Sequence, residues 1–207
     1  MRPILRIRGP IAAAAILAGA LVMSQGAAVA ASPPPNSSIL FYKPGLAVTG
    51  TLKGGVFHQK RMLHMSGWTN AAVSRDTLPL YSRSTGKLKT GTFLNGIFTA
   101  KKTRTITTGW TTVIASCDSV LFYRRSTGAG FTATLKGGLM GTRHTLGLSS
   151  GWNLIDASCD TIGFLAVGTT SSTGVNGTLK GGRFVQSSGF AVGVYTHYVH
   201  TATSYLL

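Results

Sequence analysis

The chain offers few residues that could carry out catalysis. Only four of its 207 residues are acidic, and no two of them form an evident carboxylate pair for glycoside hydrolysis. The segment Gly147-Leu148-Ser149-Ser150-Gly151 matches the G-x-S-x-G nucleophile motif. That motif requires a strand, a sharp turn and then a helix, whereas Trp152-Asn153-Leu154 begins another predicted strand. A hydrolase is therefore the least favoured interpretation, and we expect no enzyme.

The chain also has few residues suited to binding a metal ion or a cofactor. The five histidines do not share a repeat position: His58, His64, His144, His197 and His200. His197 and His200 are three residues apart on a predicted strand, so their side chains should face opposite sides. A lone carboxylate per repeat cannot provide the several oxygen ligands that calcium takes. The sequence predicts neither a metal site nor a cofactor.

Two residue types recur every 42 residues. Gly-Trp pairs place aromatic rings at Trp68, Trp110 and Trp152, and Tyr195 takes this place in a fourth unit. Aspartates follow at Asp76, Asp118 and Asp160. A period in this range indicates identical supersecondary units packed side by side.

These repeated residues allow a binding role or a scaffold role. The aromatic side chains could stack on sugar rings, but residues shared by every unit are more often structural. We favour packing between units for the aromatic residues. For the aspartates we predict hydrogen bonds to backbone N–H groups at the turn into the next unit.

Three lysines share another repeat position. Lys53, Lys136 and Lys180 each precede a glycine turn, and Leu94 takes the fourth place. A closed ring would bring them to one face with little acid nearby, which would create an anion-attracting patch. The alternative is that these lysines protect strand ends against aggregation.

The two cysteines, Cys117 and Cys159, are also 42 residues apart. An even count in an exported protein favours a disulfide. Equivalent positions in neighbouring repeats are nevertheless separated by the repeat translation, and a disulfide needs Cα atoms within about 7 Å. The sequence leaves open a disulfide or two small buried side chains.

The spacing of apolar runs and turns predicts four short strands per unit. A β-branched or aromatic run is followed by a turn, a second strand, a tight hairpin, a third strand and a strand that starts at the Trp. The hairpin dipeptides are Gly-Gly or Asn-Gly, which suit turns with two positive φ angles. We predict an all-β, propeller-like array of four four-stranded antiparallel repeats of about 42 residues.

The chain ends also suggest how such an array closes. Residues 204–207 align with residues 38–41, so the last strand could pair with the first blade and remove an exposed edge. Whether four repeats close alone or with a second chain is left open.

The N-terminal segment 1–31 has the features of an export signal. It has a basic start, an apolar run and the small-x-small sequence Ala28-Val29-Ala30. The alternative is a membrane anchor, but the apolar run is shorter than the roughly 20 residues that a span needs. We predict a signal peptide over 1–31, a Pro-rich linker over 32–36, one domain over 37–207 and no later membrane span. The protein would then be secreted.

Positive charge dominates the predicted mature chain. Three of the 20 basic residues lie in the segment 1–31, so 17 basic residues face four acids, a net charge of +13. Such a charge attracts polyanions; a solvated basic surface without a dedicated partner is the alternative. The interleaved aromatic residues typical of single-stranded nucleic-acid binding are missing, so nucleic acid is disfavoured as a partner.

The pattern Gly-Trp … Ser-Cys-Asp-x-x-Leu-Phe-Tyr … Thr-Gly … Leu-Lys-Gly-Gly resembles the repeats of secreted bacterial β-propellers. Its plan is similar to tachylectin-2-like lectins and to FG-GAP/VCBS repeats. This resemblance implies a propeller that binds carbohydrate between its blades. The calcium loop Asp-x-Asp-x-Asp-Gly is absent, and four units are present where the tachylectin type has five.

We therefore predict a secreted, non-enzymatic, lectin-like propeller. The alternative is an adhesion or matrix protein that binds surface polyanions through a basic face. The sequence does not indicate the oligomeric state.

Overall fold

The computed structural model describes residues 38–43, 45–169 and 171–193. Within these ranges the chain forms fifteen strands and no helix. The strands pair in antiparallel fashion into four sheets, which are the blades of a four-bladed β-propeller. The predicted all-β class and four-repeat propeller are confirmed.

The strands follow the 42-residue period. Blade 1 has three described strands: β1 (Ser38–Lys43), β2 (Gly45–Lys53) and β3 (Val56–Met65). Blade 2 has β4 (Asn70–Ala71), β5 (Thr77–Tyr81), β6 (Lys87–Leu94) and β7 (Ile97–Thr105). Blade 3 has β8 (Thr112–Ala115), β9 (Ser119–Tyr123), β10 (Ala129–Lys136) and β11 (Leu139–Gly147). Blade 4 has β12 (Leu154–Ala157), β13 (Thr161–Val167), β14 (Ser172–Lys180) and β15 (Arg183–Val192).

The strand that follows each Gly-Trp pair belongs to the next blade. β8 pairs with β9 rather than with β7, and Thr112 lies opposite Tyr123. The reason lies in the two connections. A tight turn closed by Ser116 N–H donating to the Ser119 carbonyl, at 2.9 Å, makes a hairpin of β8 and β9. The longer segment between β7 and β8 carries the chain from one blade to the next.

The four outer hairpins have the turn that their dipeptides predict. Asn95 and Gly96 have φ angles of 52° and 73°, and Gly137 and Gly138 have 59° and 82°. Both central residues are therefore left-handed, as a two-residue turn matching the strand twist requires. Asn95 is the one described residue other than glycine with positive φ, which explains why Asn-Gly replaces Gly-Gly without changing the turn.

The core lies between blades rather than within one. Along β9, Val120 and Phe122 pack into the apolar cluster shared with blade 2, whereas Leu121 and Tyr123 pack into the cluster shared with blade 4. Every residue of β9 is buried. This explains its continuous apolar sequence, because both faces of the strand meet a neighbouring blade.

The inner turns meet near the axis of the ring. Arg75 N–H donates to the Cys117 carbonyl at 3.1 Å, and Cys117 N–H donates to the Cys159 carbonyl at 2.7 Å. Cys117 and Cys159 form a disulfide with a Cα–Cα distance of 4.4 Å. Equivalent residues of neighbouring repeats are closer together near the axis of a ring than at its rim. This brings the two cysteines within bonding distance.

Several sequence predictions fall outside the described residues. They are the signal peptide over 1–31, the linker over 32–36, Tyr195 and the closing role of residues 204–207. The described residues all belong to one compact unit. None of these residues forms a helix long and apolar enough to cross a membrane.

Candidate anion-binding face

The ends of the strands form two faces of the propeller. The aspartate face, as we call it, consists of the turns 74–76, 116–118 and 158–160 and the outer hairpins 54–55, 95–96, 137–138 and 181–182. The tryptophan face consists of the turns 82–86 and 124–128 and the corners 66–69, 106–111 and 148–153. Because neighbouring strands are antiparallel, the chain alternates between these two faces.

The repeated lysines lie on the aspartate face, as the repeat alignment predicts. Lys53, Lys136 and Lys180 are all exposed. The expectation of little nearby acid is wrong, because three of the four acids lie on the same face. Lys180 Nζ is 2.8 Å from Asp160 Oδ2, and this hydrogen bond raises the pKa of Lys180 above its ordinary value. The hairpin geometry brings acid to the lysines although the two are far apart in sequence.

Two of the aspartates connect neighbouring blades. Asp76 Oδ2 accepts a hydrogen bond from Gly137 N–H at 2.9 Å, and Asp118 accepts from Gly181 N–H at 3.1 Å. The donor is the outer hairpin of the next blade. The residue after each aspartate adds a second bond: Gly138 N–H donates to Thr77 Oγ1 at 2.8 Å. These carboxylates therefore hold neighbouring blades together.

The first and fourth blades depart from this arrangement. Ser38 stands where the later repeats have Thr77, and its hydroxyl accepts from Gly96 N–H at 2.9 Å. Asp160 bonds Lys180 of its own blade. The aspartate position thus links blades 2 to 3 and 3 to 4 directly, and a hydroxyl takes over between blades 1 and 2.

The tryptophan rings occupy two environments. Trp110 is 8% exposed and Trp152 is 9% exposed, and the Trp110 ring meets Phe131 edge-on with a centroid distance of 5.1 Å. Arg124 covers Trp110 with its guanidinium 5.2 Å from the ring centroid. Trp68 is only partly buried and has Lys89 Nζ 5.4 Å from its centroid. Two of the three rings are thus enclosed between blades, which leaves little surface for a sugar to stack on.

Tyrosine hydroxyls hold the corners of the tryptophan face. The Tyr123 hydroxyl donates to the Ser149 carbonyl at 2.9 Å and accepts from Trp152 N–H at 3.2 Å. Tyr81 makes the equivalent bonds to Thr107 and Trp110. Burial raises the pKa of both hydroxyls, and this outweighs the opposing effects of the backbone hydrogen bond and the nearby arginines.

The G-x-S-x-G segment is part of one of these corners. Ser149 lies between β11 and β12, so a strand and not a helix follows it. It lines a cavity of about 210 Å³ together with Trp152, Phe164 and other residues, none of which is a histidine or a carboxylate. The geometry of a nucleophile elbow is therefore missing from this segment.

Metal ligands are not clustered in the described part of the chain, where no group of three His, Cys, Asp or Glu side chains could hold an ion. His58 and His64 are exposed on β3, and His144 is partly buried on β11. His197 and His200 lie outside the described residues.

The tryptophan face carries cations without acids. Its described turns and corners contain Arg83, Arg124 and Arg125 and no aspartate or glutamate. All four acids of the chain lie elsewhere, three on the aspartate face and Asp156 on β12. The guanidinium of Arg124 is used inside the structure, since it covers Trp110 and donates to the Thr108 carbonyl. Arg83 and Arg125 are exposed.

Sequence analysis did not single out Arg83 and Arg125. The signal that points to them is their 42-residue spacing within the repeated tetrapeptide Arg-Ser-Thr-Gly.

Comparison with known proteins supports the architecture. No family model and no curated protein matches the chain. It is similar in structure to 6-phosphogluconolactonase-like proteins from Bacteroides fragilis (TM-score 0.52, 9% identity) and Bacteroides uniformis (TM-score 0.52, 9% identity). A third similar structure is the hydrazine synthase of Kuenenia stuttgartiensis (TM-score 0.50, 9% identity).

These matches cover 80%, 83% and 77% of this chain and 58%, 59% and 47% of the respective structures. The chain thus spans about half to three fifths of their length. The likeness is one of fold. What the proteins share is the propeller.

Proposed function

We propose that this protein is an exported, non-catalytic β-propeller that binds acidic carbohydrate polymers through its tryptophan face. The observation that carries the proposal is the segregation of charge between the two faces. Acids accompany the lysines on the aspartate face, whereas the described turns and corners of the tryptophan face hold arginines and no acid. A surface of one sign attracts an oppositely charged polymer and orients it on arrival.

A polymer suits this arrangement better than an isolated small ion. Single contacts between exposed charges are weak in water and are screened by salt. A chain with many acidic groups makes several such contacts at once, and the second and later contacts benefit from a high effective concentration. The tryptophan face offers such contacts at Arg83 and Arg125, which lie at equivalent turns of two neighbouring blades.

The structure gives less support to a lectin for neutral sugars. Such a site needs an exposed ring on which a sugar can stack, and Trp110 and Trp152 are enclosed. Of the three tryptophans Trp68 is the most accessible, and Lys89 lies beside it. A cation next to an aromatic face suits a sugar that carries an acidic group. Carbohydrate therefore remains the proposed ligand, with the acidic group as its distinguishing feature.

The test compares charged and neutral forms of one polysaccharide. The purified protein should bind dextran sulfate and not dextran, with an affinity that falls by about tenfold or more when sodium chloride rises from about 50 to about 300 mM. Equal binding to both polymers would favour a lectin for neutral sugars. Binding to neither would exclude the proposal. Export is tested separately by the mass of the protein recovered from the culture medium, which should lack the segment 1–31.

A further inference from the structure

We infer that Arg83 and Arg125 form the binding site for one tetrahedral oxyanion group, a sulfate or phosphate ester, on the acidic polymer. The inference rests on the proposed function and deepens it. Both arginines line one cleft of about 600 Å³ on the tryptophan face. The other residues that line it are Thr111, Ser126, Ser150 and Gly151. The cleft therefore combines two arginines with three hydroxyl groups and contains no carboxylate. The Thr111 hydroxyl already donates to the Tyr123 carbonyl at 3.0 Å, which leaves those of Ser126 and Ser150 as hydroxyl donors for a ligand.

The backbone fixes both arginines in the same way. Arg83 N–H donates to Thr69 Oγ1 at 2.9 Å, and its carbonyl accepts from Gly109 N–H at 3.0 Å. Arg125 N–H donates to Thr111 Oγ1 at 2.9 Å, and its carbonyl accepts from Gly151 N–H at 2.9 Å. Each arginine is thus tied to a corner that leads into the next blade. Fixed attachment points reduce the ordering that a ligand must impose when it binds.

The fold itself does not use the arginine side chains. In blade 4 the equivalent position is Val167, whose N–H donates to Asn153 Oδ1 at 2.8 Å. The backbone bond is retained there although the side chain is apolar. Within the described chain neither arginine takes part in an ion pair. Two repeats therefore present a cation where the scaffold needs only a backbone N–H.

The donor set favours a tetrahedral anion over a carboxylate. A carboxylate has two oxygens, and one guanidinium can bind both of them in a bidentate arrangement. A sulfate or phosphate ester has three peripheral oxygens, which can accept from two guanidinium groups and from hydroxyl donors at the same time.

The first experiment uses the full chain and simple salts. Calorimetric titration with sodium sulfate, sodium phosphate and sodium acetate at matched ionic strength should show acetate as the weakest ligand by about tenfold. The double variant Arg83→Gln/Arg125→Gln should lose sulfate affinity by about tenfold or more. The matched control is Lys101→Gln/Lys102→Gln, which removes the same charge from exposed positions on β7 and should bind sulfate nearly as well as the unaltered protein.

A second variant separates geometry from charge. Arg83→Lys/Arg125→Lys keeps both charges but loses the planar fork, so sulfate affinity should fall by about fivefold. An unchanged affinity would overturn the two-guanidinium site. All variants should unfold at the temperature of the unaltered protein, because Val167 shows that this position tolerates a different side chain.

Polymers identify the ester and separate the two proposals. Dextran sulfate or phosphorylated dextran should bind more tightly than carboxymethyl dextran of equal charge density. Whichever of the two esters binds more tightly identifies the group that the site prefers. Carboxymethyl dextran bound as tightly would overturn the tetrahedral preference. An equal loss of sulfate affinity in Arg83→Gln/Arg125→Gln and Lys101→Gln/Lys102→Gln, with dextran sulfate still bound, would overturn the assignment of the cleft and leave the proposed function in place. Binding of sulfate without binding of any polymer would support the cleft and contradict the proposed function.

Discussion

The two faces of the propeller use repetition in opposite ways. On the aspartate face, repeated side chains are partners of the scaffold: Asp76 and Asp118 hold the hairpins of neighbouring blades, and the cysteines are joined. On the tryptophan face the backbone and buried tyrosine hydroxyls hold the corners, so the side chains of Arg83 and Arg125 remain exposed. Recurrence of a residue therefore does not by itself tell a scaffold role from a binding role, and the contacts of its side chain do.

The largest expected effect of this difference is on the disulfide. Replacing both cysteines by Ser opens a loop of 42 residues, which should lower the free energy of unfolding by about 4 kcal/mol. Urea unfolding of the variant and of the reduced protein measures the loss. Both should remain folded, because Arg75 holds the same position in the preceding repeat with a backbone hydrogen bond alone. A loss below about 1 kcal/mol would show that the axis is already ordered without the covalent bond.

The second expected effect concerns the aspartates and is smaller. Asp118→Ala removes the acceptor for Gly181 N–H and for the Ser119 hydroxyl, so the free energy of unfolding should fall by about 2 kcal/mol. Asp160→Ala is the matched control, since Asp160 contacts exposed Lys180 and its carboxylate accepts from no hairpin N–H among the described residues. Urea unfolding should show a much smaller loss for Asp160→Ala. Equal losses would contradict the assignment of Asp118 as a link between blades.

The smallest effect is the response to alkaline pH. The pKa values of Tyr81 and Tyr123 are raised by burial above the ordinary value of 10.0. The unfolded chain therefore releases these protons first, so the stability they contribute is complete below about pH 10 and is lost as the pH rises through the folded pKa values. Urea unfolding between about pH 8 and 11 should show a decline that is less steep for Tyr81→Phe/Tyr123→Phe. An identical decline in the variant would assign the pH dependence to other groups.

The sequence predicts the length of the repeat better than it predicts which strands form one blade. The 42-residue spacing and the Gly-Gly and Asn-Gly dipeptides define four units and their outer hairpins, since these are local properties of the chain. A period has no natural starting point, however, and therefore does not tell which strands share a sheet. The pairing of β8 with β9 depends on the tight turn after Ala115, whose hydrogen bond is visible only in the structure.

The candidate site was harder to predict for a related reason. The neighbours of the lysines come from other parts of the chain: Asp160 is 20 residues from Lys180, and the aspartates that bond the hairpins are about 60 residues from them. The cysteine distance likewise depends on how close to the axis the turn lies. Arg83 and Arg125 were detectable as a repeated pair, but only the structure shows that they share one cleft.

The single disulfide has a mechanical consequence. Cys117 and Cys159 enclose nearly all of blade 3 and the first strand of blade 4. If the chain is pulled from its two ends, tension passes through the sulfur atoms and bypasses the enclosed segment. At about 3.5 Å per extended residue, roughly 140 Å of chain is withheld from stretching. A protein attached to a polymer in flowing liquid would keep that quarter of its ring from being extended after the rest has been drawn out.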